Sequence, residues 1–249
     1  MVSRIALLAA VLAPVVSAGP CKPVVLTLPS TGNVTADLPS PPTNVTVKRI
    51  AVGHGIQNYT CASANATGAV PSKGALAVLY DVTPLYPGTP NTGLDQATWD
   101  SLSATVLFGQ NIPLNLSPNA LPEAEYSADV ANPFPAAADL SINGLPTLPF
   151  LGHHFFDKDG IPTFDLSAAD LLASVARLNG ANAPTDANPG IIGTGAVPWL
   201  QLKDNTGVSR GLQYVYRVVT AGGVAQACSV AGEGSGSVPY TAFYWFLGA

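Results

Sequence analysis

Charge is scarce in this sequence: only 10 % of its 249 residues are charged, against about 25 % in an average soluble chain. With hydrophobic residues at 47 %, that excludes a disordered polyelectrolyte, which combines high charge with little apolar content. Lys and Arg number 10 against 15 Asp and Glu. No basic surface of the kind that neutralises phosphates is expected, and so no nucleic-acid partner. Glutamate is limited to Glu123, Glu125 and Glu233, and histidine to His54, His153 and His154. No C-x-x-C pair or matched His spacing exists, which excludes a standard zinc site. No G-x-S-x-G exists either; G-E-G-S-G at 232–236 puts Glu233 where the nucleophile elbow needs glycine. Beyond the N-terminus no apolar run approaches the length of about 20 residues that spans a bilayer. What the chain has in excess is glycine and proline, 24 and 23, which excludes a coiled coil or a large helical bundle.

The N-terminus reads as a secretory signal peptide over 1–18. Arg4 supplies the positive start, Ile5 to Val16 an apolar run interrupted by Pro14, and Val16-Ser17-Ala18 the cleavage site. The expectation is a secreted, extracellular protein with no membrane attachment after cleavage. Five N-x-[ST] sequons, at Asn33, Asn44, Asn58, Asn65 and Asn115, fit that route and mark expected glycan sites. Of the three cysteines, Cys21 would lie near the mature terminus, where order is poor. Cys61 and Cys228 each follow a strand-like run, and an oxidising compartment favours their pairing. Cys21 is then free or available for intermolecular crosslinking.

Residues 19–43 read as an extended lead-in and 44–249 as one β-rich domain, with 83–150 an irregular insertion. Strands are expected over 44–52 and 56–61, separated by G-H-G, and over 74–82, 196–203, 211–220 and 238–247. A hairpin is expected over 153–165 with its turn at D-K-D-G. Alternation places Gln57, Tyr59 and Cys61 inward, and Gln57 then needs a buried partner. Residues 238–247 are apolar on both faces and should be covered on both sides. Two short helices are expected, one from Asp95 to Phe108 with Asp95 as N-cap, the other from Ser167 to Leu178 ending at Gly180. The fold class is all-β, mainly antiparallel, a single-domain β-sandwich or barrel.

Several motifs resolve into turns or packing. G-H-G-I-Q-N at 53–58 has Asn58 where a dinucleotide fingerprint needs its third glycine, and a strand follows instead of a helix. No cofactor is expected. His153 and His154 are adjacent and on a strand face opposite sides. A metal site joining one of them to His54 and Asp157 or Asp159 is conceivable but unsupported by spacing, so no metal is expected. Asp81, Asp157, Asp159 and Asp165 are the acids from which a glycosidase pair would have to come. Tyr214, Tyr216, Tyr240, Tyr244, Trp199 and Trp245 either line a ligand or glycan platform or pack the core.

A set of segments in fixed order carries a family resemblance: G-x-G-x-Q-N-Y-T-C at 53–61, G-A-L-A-V-L-Y-D at 74–81, G-x-H-x-F at 152–156, P-x-F-D at 162–165, A-V-P-W-L-x-L at 196–202, V-Y-R-V-V-T-A-G-G at 215–223 and V-P-Y-T-A-x-Y-x-F at 238–246. Over roughly 45–247 the chain resembles the secreted fungal and bacterial family known as domain of unknown function thirty-four fifty-five. The resemblance singles out Gln57, Tyr59, Cys61, His154, Trp199, Arg217 and Tyr240. It implies no established catalytic residues. The insertion and the sequons suit a fungal-type secreted form. Fungal members are often labelled malate dehydrogenase, but that chemistry needs a nicotinamide site and a His-Asp relay beside an Arg pair, a pattern this chain lacks. The expected function is binding, to a cell-wall glycan or a small apolar ligand. A hydrolase- or lyase-like enzyme built around His154, Gln57 and Arg217 is the alternative, favoured if those residues and an Asp converge in a pocket. A wall or coat component crosslinked through Cys21 is a third.

Overall fold

The longest run of β-branched and apolar alternation in the chain, T-V-K-R-I-A-V-G-H-G-I-Q-N-Y-T-C, forms a single strand, β1 (Thr46–Cys61). The expected break at G-H-G is not there, and the reason is close packing. A Cβ on Gly53 would lie 2.6 Å from a ring carbon of Tyr244, and one on Gly55 would lie 1.9 Å from the Leu76 carbonyl oxygen. Only glycine lets the neighbouring strand and the Tyr244 ring come that near, so these two glycines are strand positions and not a turn. The computed structural model describes residues 24–32, 37–117 and 126–249. The expected signal peptide over 1–18, Cys21 and the Asn33 sequon lie outside the described residues.

Seven more strands follow: β2 (Ser72–Asp81), β3 (Phe150–Phe156), β4 (Pro162–Leu166), β5 (Leu171–Ala181), β6 (Trp199–Asp204), β7 (Tyr214–Gly222) and β8 (Gly234–Gly248). Each pairs antiparallel with the next, and β8 pairs with β1, closing an up-and-down barrel. The fold is all-β, and of the two expected architectures it is the barrel and not the sandwich. Pairing of β1 with β8 runs from Thr46–Gly248 to Cys61–Gly234, so no sheet edge is left unpaired. Helix α1 (Gln96–Gly109) begins as expected, with the Asp95 carboxylate accepting from the Thr98 amide at 2.9 Å. A four-residue helix, α2 (Cys228–Ala231), precedes β8.

The expected helix over 167–178 is instead one 3-10 turn, Ser167–Ala169, followed by β5. Asp170 adopts φ 54, a left-handed conformation that stops the turn. The segment beyond it then satisfies its backbone in the gap between β4 and β6. Ala173 and Val175 point into the barrel, a period of two hidden under a helix-like composition.

Two hydrophobic layers result. The inner one fills the barrel with Ala51, Ala77, Leu79, Leu151, Phe164, Leu166, Leu202, Leu212, Tyr244 and Phe246. The outer one lies between the sheet and its covering: Ile50, Val52, Tyr80, Phe243 and Trp245 against Trp99, Leu102 and Val106 of α1. Trp99 stacks on Phe243 with centroids 4.6 Å apart. The lead-in contributes Leu26, Leu28 and Leu38, and Tyr216 donates its hydroxyl proton to the Pro39 carbonyl. β8, apolar on both faces, is thus buried on both. Cys61 and Cys228 are joined by a disulfide with Cα atoms 5.5 Å apart, tying the end of β1 to α2.

Candidate functional site

Inward positions along β1 read Ala51, Gly53, Gly55, Gln57, Tyr59, and their neighbours on β3, β7 and β8 are fixed by register. His154 lies opposite Ala77, and Tyr244 opposite Arg217. One end of the barrel is filled by Leu79, Leu166, Leu212 and Phe246. Toward the other, the small Ala75 and the glycines of β1 leave space. A cavity of about 350 Å³ opens there, lined by Gln57, Tyr59, Ser72, His154, Arg177, Arg217 and Tyr244 with Phe156, Phe164, Val197, Leu200 and Leu202. The sequence candidates His154, Gln57 and Arg217 therefore meet in one cavity. No Asp or Glu joins them among its lining residues.

His154 is fully buried, stacked on Phe164 at 4.0 Å. Its Nδ1 lies 2.9 Å from the Thr163 carbonyl oxygen. A carbonyl only accepts, so Nδ1 carries the proton and Nε2 holds a lone pair. Burial pulls the His154 pKa down to about 4, helped by the Arg217 charge and opposed by the Thr163 hydrogen bond. At neutral pH the ring is uncharged.

Arg217 is held from behind. Its Nε and Nη2 donate to the Pro198 carbonyl at 3.2 and 2.8 Å. That carbonyl is fixed because the 188–198 segment is stitched to the end of β7. Thr220 Oγ1 donates to Val197 O at 2.7 Å, and the Val197 amide to Gly222 O at 3.0 Å. The stitch uses a β7 bulge between Val218 and Ala221, where Val219 is forced to φ 47. Two of the five guanidinium donors are committed in this way.

Tyr59 and Tyr244 complete the wall, and Tyr240 backs it. Tyr59 donates to the Gly223 carbonyl at 2.6 Å, and the hydroxyls of Tyr240 and Tyr244 are 2.8 Å apart. Burial raises the pKa of all three, and the Arg217 charge opposes it in each. Nε2 of Gln57, 5 % exposed, has no hydrogen-bond partner among the described residues. The buried partner that alternation demanded for Gln57 is therefore missing on its amide nitrogen, and that nitrogen belongs to a cavity-lining side chain.

Other sequence candidates do not converge. His54 lies on the outer face of β1 at 0 % exposure, both ring nitrogens without a hydrogen-bond partner among the described residues, with a pKa lowered by burial to about 4. His153 stacks on Phe134 at 4.1 Å, on the opposite side of the sheet from His154. Asp157 caps the β3–β4 turn, accepting from the Asp159 and Ile161 amides. No group of three metal-ligating side chains forms among the described residues. Asp81 pairs with Arg49. The aromatic set splits: Tyr240 and Tyr244 face the lumen, Tyr216 and Trp245 the outer layer. The residue that sequence reading missed is Arg177. It lay inside the misassigned helix, and only the strand period of β5 puts it on the lumen face with Ala173 and Val175.

The arrangement defines a class: a closed eight-stranded antiparallel barrel, plugged at one end, with an arginine-bearing cavity at the other. Within that class the chain belongs to the family described as protein of unknown function (DUF3455), whose model matches residues 41–248. No curated protein and no solved structure matches the chain. G-H-G-I-Q-N lies wholly within strand β1.

Proposed function

We propose that the protein is a secreted, glycosylated, disulfide-stabilised barrel that acts by binding a small, largely apolar ligand in the lumen cavity. The observation that carries this is the cavity itself: about 350 Å³, walled mainly by apolar side chains, with a few polar groups converging on it. Eight strands is the barrel size at which an interior either fills completely or holds one small ligand. Binding is favoured over the hydrolase- or lyase-like alternative because no carboxylate lines the cavity to orient His154 or to exchange a proton with it. A cell-wall glycan is less well served. Trp199, Tyr216, Tyr240, Tyr244 and Trp245 are buried and Tyr214 is half-buried with the Lys203 ammonium over its ring, whereas a glycan platform needs an exposed aromatic face.

Secretion rests on the N-terminal leader and the Cys61–Cys228 bridge. Glycans suit Asn44 and Asn65, which lie exposed in turns. Asn58 Oδ1 accepts from Ser237 and Asn115 Nδ2 donates to the Asn132 carbonyl, so both side chains are tied down in the folded protein. Peptide mapping of the secreted protein is expected to find Asn44 and Asn65 occupied more fully than Asn58 and Asn115. The reverse ranking would contradict this.

Ligand-observed NMR with a panel of small apolar compounds tests the binding reading. Ala75→Leu places a larger side chain in the cavity. Compounds that bind the native protein are expected to lose binding to this variant while its circular dichroism is unchanged. Binding that survives the substitution, or no binding at all, would remove the lumen from consideration.

A further inference from the structure

The cavity carries two arginines and no acid. Of the ion pairs among the described residues, the cationic partners are Arg49, Lys158 and Arg210. Arg177 and Arg217 pair with no carboxylate among those residues, although acids outnumber bases 15 to 10 in the chain. A sequence with carboxylates to spare thus leaves its two lumen-facing guanidiniums unpaired, facing a largely apolar wall. Arg217 is pre-oriented by the Pro198 carbonyl. Beside it, the buried Gln57 presents an amide nitrogen that meets no acceptor in hydrogen-bond geometry among the described residues, its neighbour being the Tyr240 hydroxyl. Arg217 keeps donors beyond the two that Pro198 takes, and with Arg177 it faces a cavity whose other wall is Phe156, Phe164 and Leu202, which describes one kind of guest.

Building on the reading that the lumen takes a small ligand, we propose that the ligand is an organic monocarboxylate. Its carboxylate would be held by Arg217 and Arg177, with Gln57 Nε2 as a further donor, and its aryl or alkyl body would lie against Phe156, Phe164 and Leu202. An arginine fork matches the two oxygens of a carboxylate, and such charge-assisted bonds are stronger in a partly dry site. A free phosphate fits less well. Its greater charge is strongly hydrated, and the apolar wall offers nothing to replace that water. Cationic guests are repelled by the two guanidiniums, since no carboxylate lines the cavity to compensate them.

The test is titration calorimetry on the intact, disulfide-bonded protein with phenylacetate and hexanoate, their neutral amides, and inorganic phosphate. The carboxylates are expected to bind at least about tenfold tighter than the amides, one charge-assisted contact's worth. Arg217→Met is expected to remove that preference, bringing acids and amides to the same affinity. Arg177→Met, at an exposed position, is expected to do so in part, and it keeps the test open if the first variant does not fold. Equal binding of acids and amides to the native protein would overturn the carboxylate assignment while leaving lumen binding intact. Phosphate binding as tightly as phenylacetate would overturn the role of the apolar body. If neither acids nor amides bind, the carboxylate assignment and the lumen reading both fall.

Discussion

His54 and His154 are buried on opposite faces of the same sheet, and burial lowers the pKa of each to about 4. In the unfolded chain both titrate near 6.5. Between those values the unfolded state binds more protons than the native one, so stability is complete above about pH 6.5 and is lost as pH falls toward 4. Each histidine contributes a loss of roughly 3 kcal/mol at full protonation. Urea unfolding at pH 7 and pH 4.5 is expected to show a clear drop in midpoint. His54→Leu should reduce that drop and raise stability at pH 7, because it removes two buried nitrogens that have no partner among the described residues. A midpoint insensitive to pH would show that the rings find partners in solution. Alternation separates His154 from His153 without saying which points inward, and it turns Gln57, next to the Asn58 sequon, into the barrel, so Gln57 could be placed from sequence. Arg177 could not, because its direction depends on an element the sequence disguises.

At the scale of elements, the sequence is legible where period and punctuation agree. The Asp95 cap, the D-K-D-G turn and the doubly apolar β8 follow from local chemistry. Two places fail for opposite reasons. S-A-A-D-L-L-A-S-V-A-R-L has helix-forming composition, yet barrel closure needs a strand there, and long-range pairing outweighs propensity. G-H-G looks like punctuation, yet its glycines answer to Tyr244 and Leu76, both remote in sequence. Gly53→Val would drive a side chain into the Tyr244 ring, and overpacking of this kind costs about 1–3 kcal/mol. The double variant Gly53→Val with Tyr244→Leu is expected to regain part of the loss in a urea titration. No recovery would mean that the backbone, and not the ring, sets the limit.

The whole molecule is held at one rim by the Cys61–Cys228 bridge, which joins residues 167 apart in sequence. In the chain-entropy description a loop of that size is worth about 5 kcal/mol. Replacing both cysteines with serine is expected to shift the urea midpoint down by a large part of that. An unchanged midpoint would place the stability in the barrel alone. That bridge could be chosen from three cysteines by position. The choice between sandwich and barrel could not, because it rests on whether the first and last strands meet, and no local pattern records that.

The β1–β8 seam joins Thr46 to Gly248 and Cys61 to Gly234. At a synthesis rate of about 5–20 residues per second, the ribosome delivers the second side of that seam roughly 10–40 s after the first. Until then β1 lacks the partner of its second side, the condition in which strands recruit foreign edges. Closure comes last, and folding helpers would have to guard the newborn polypeptide until its final strand emerges.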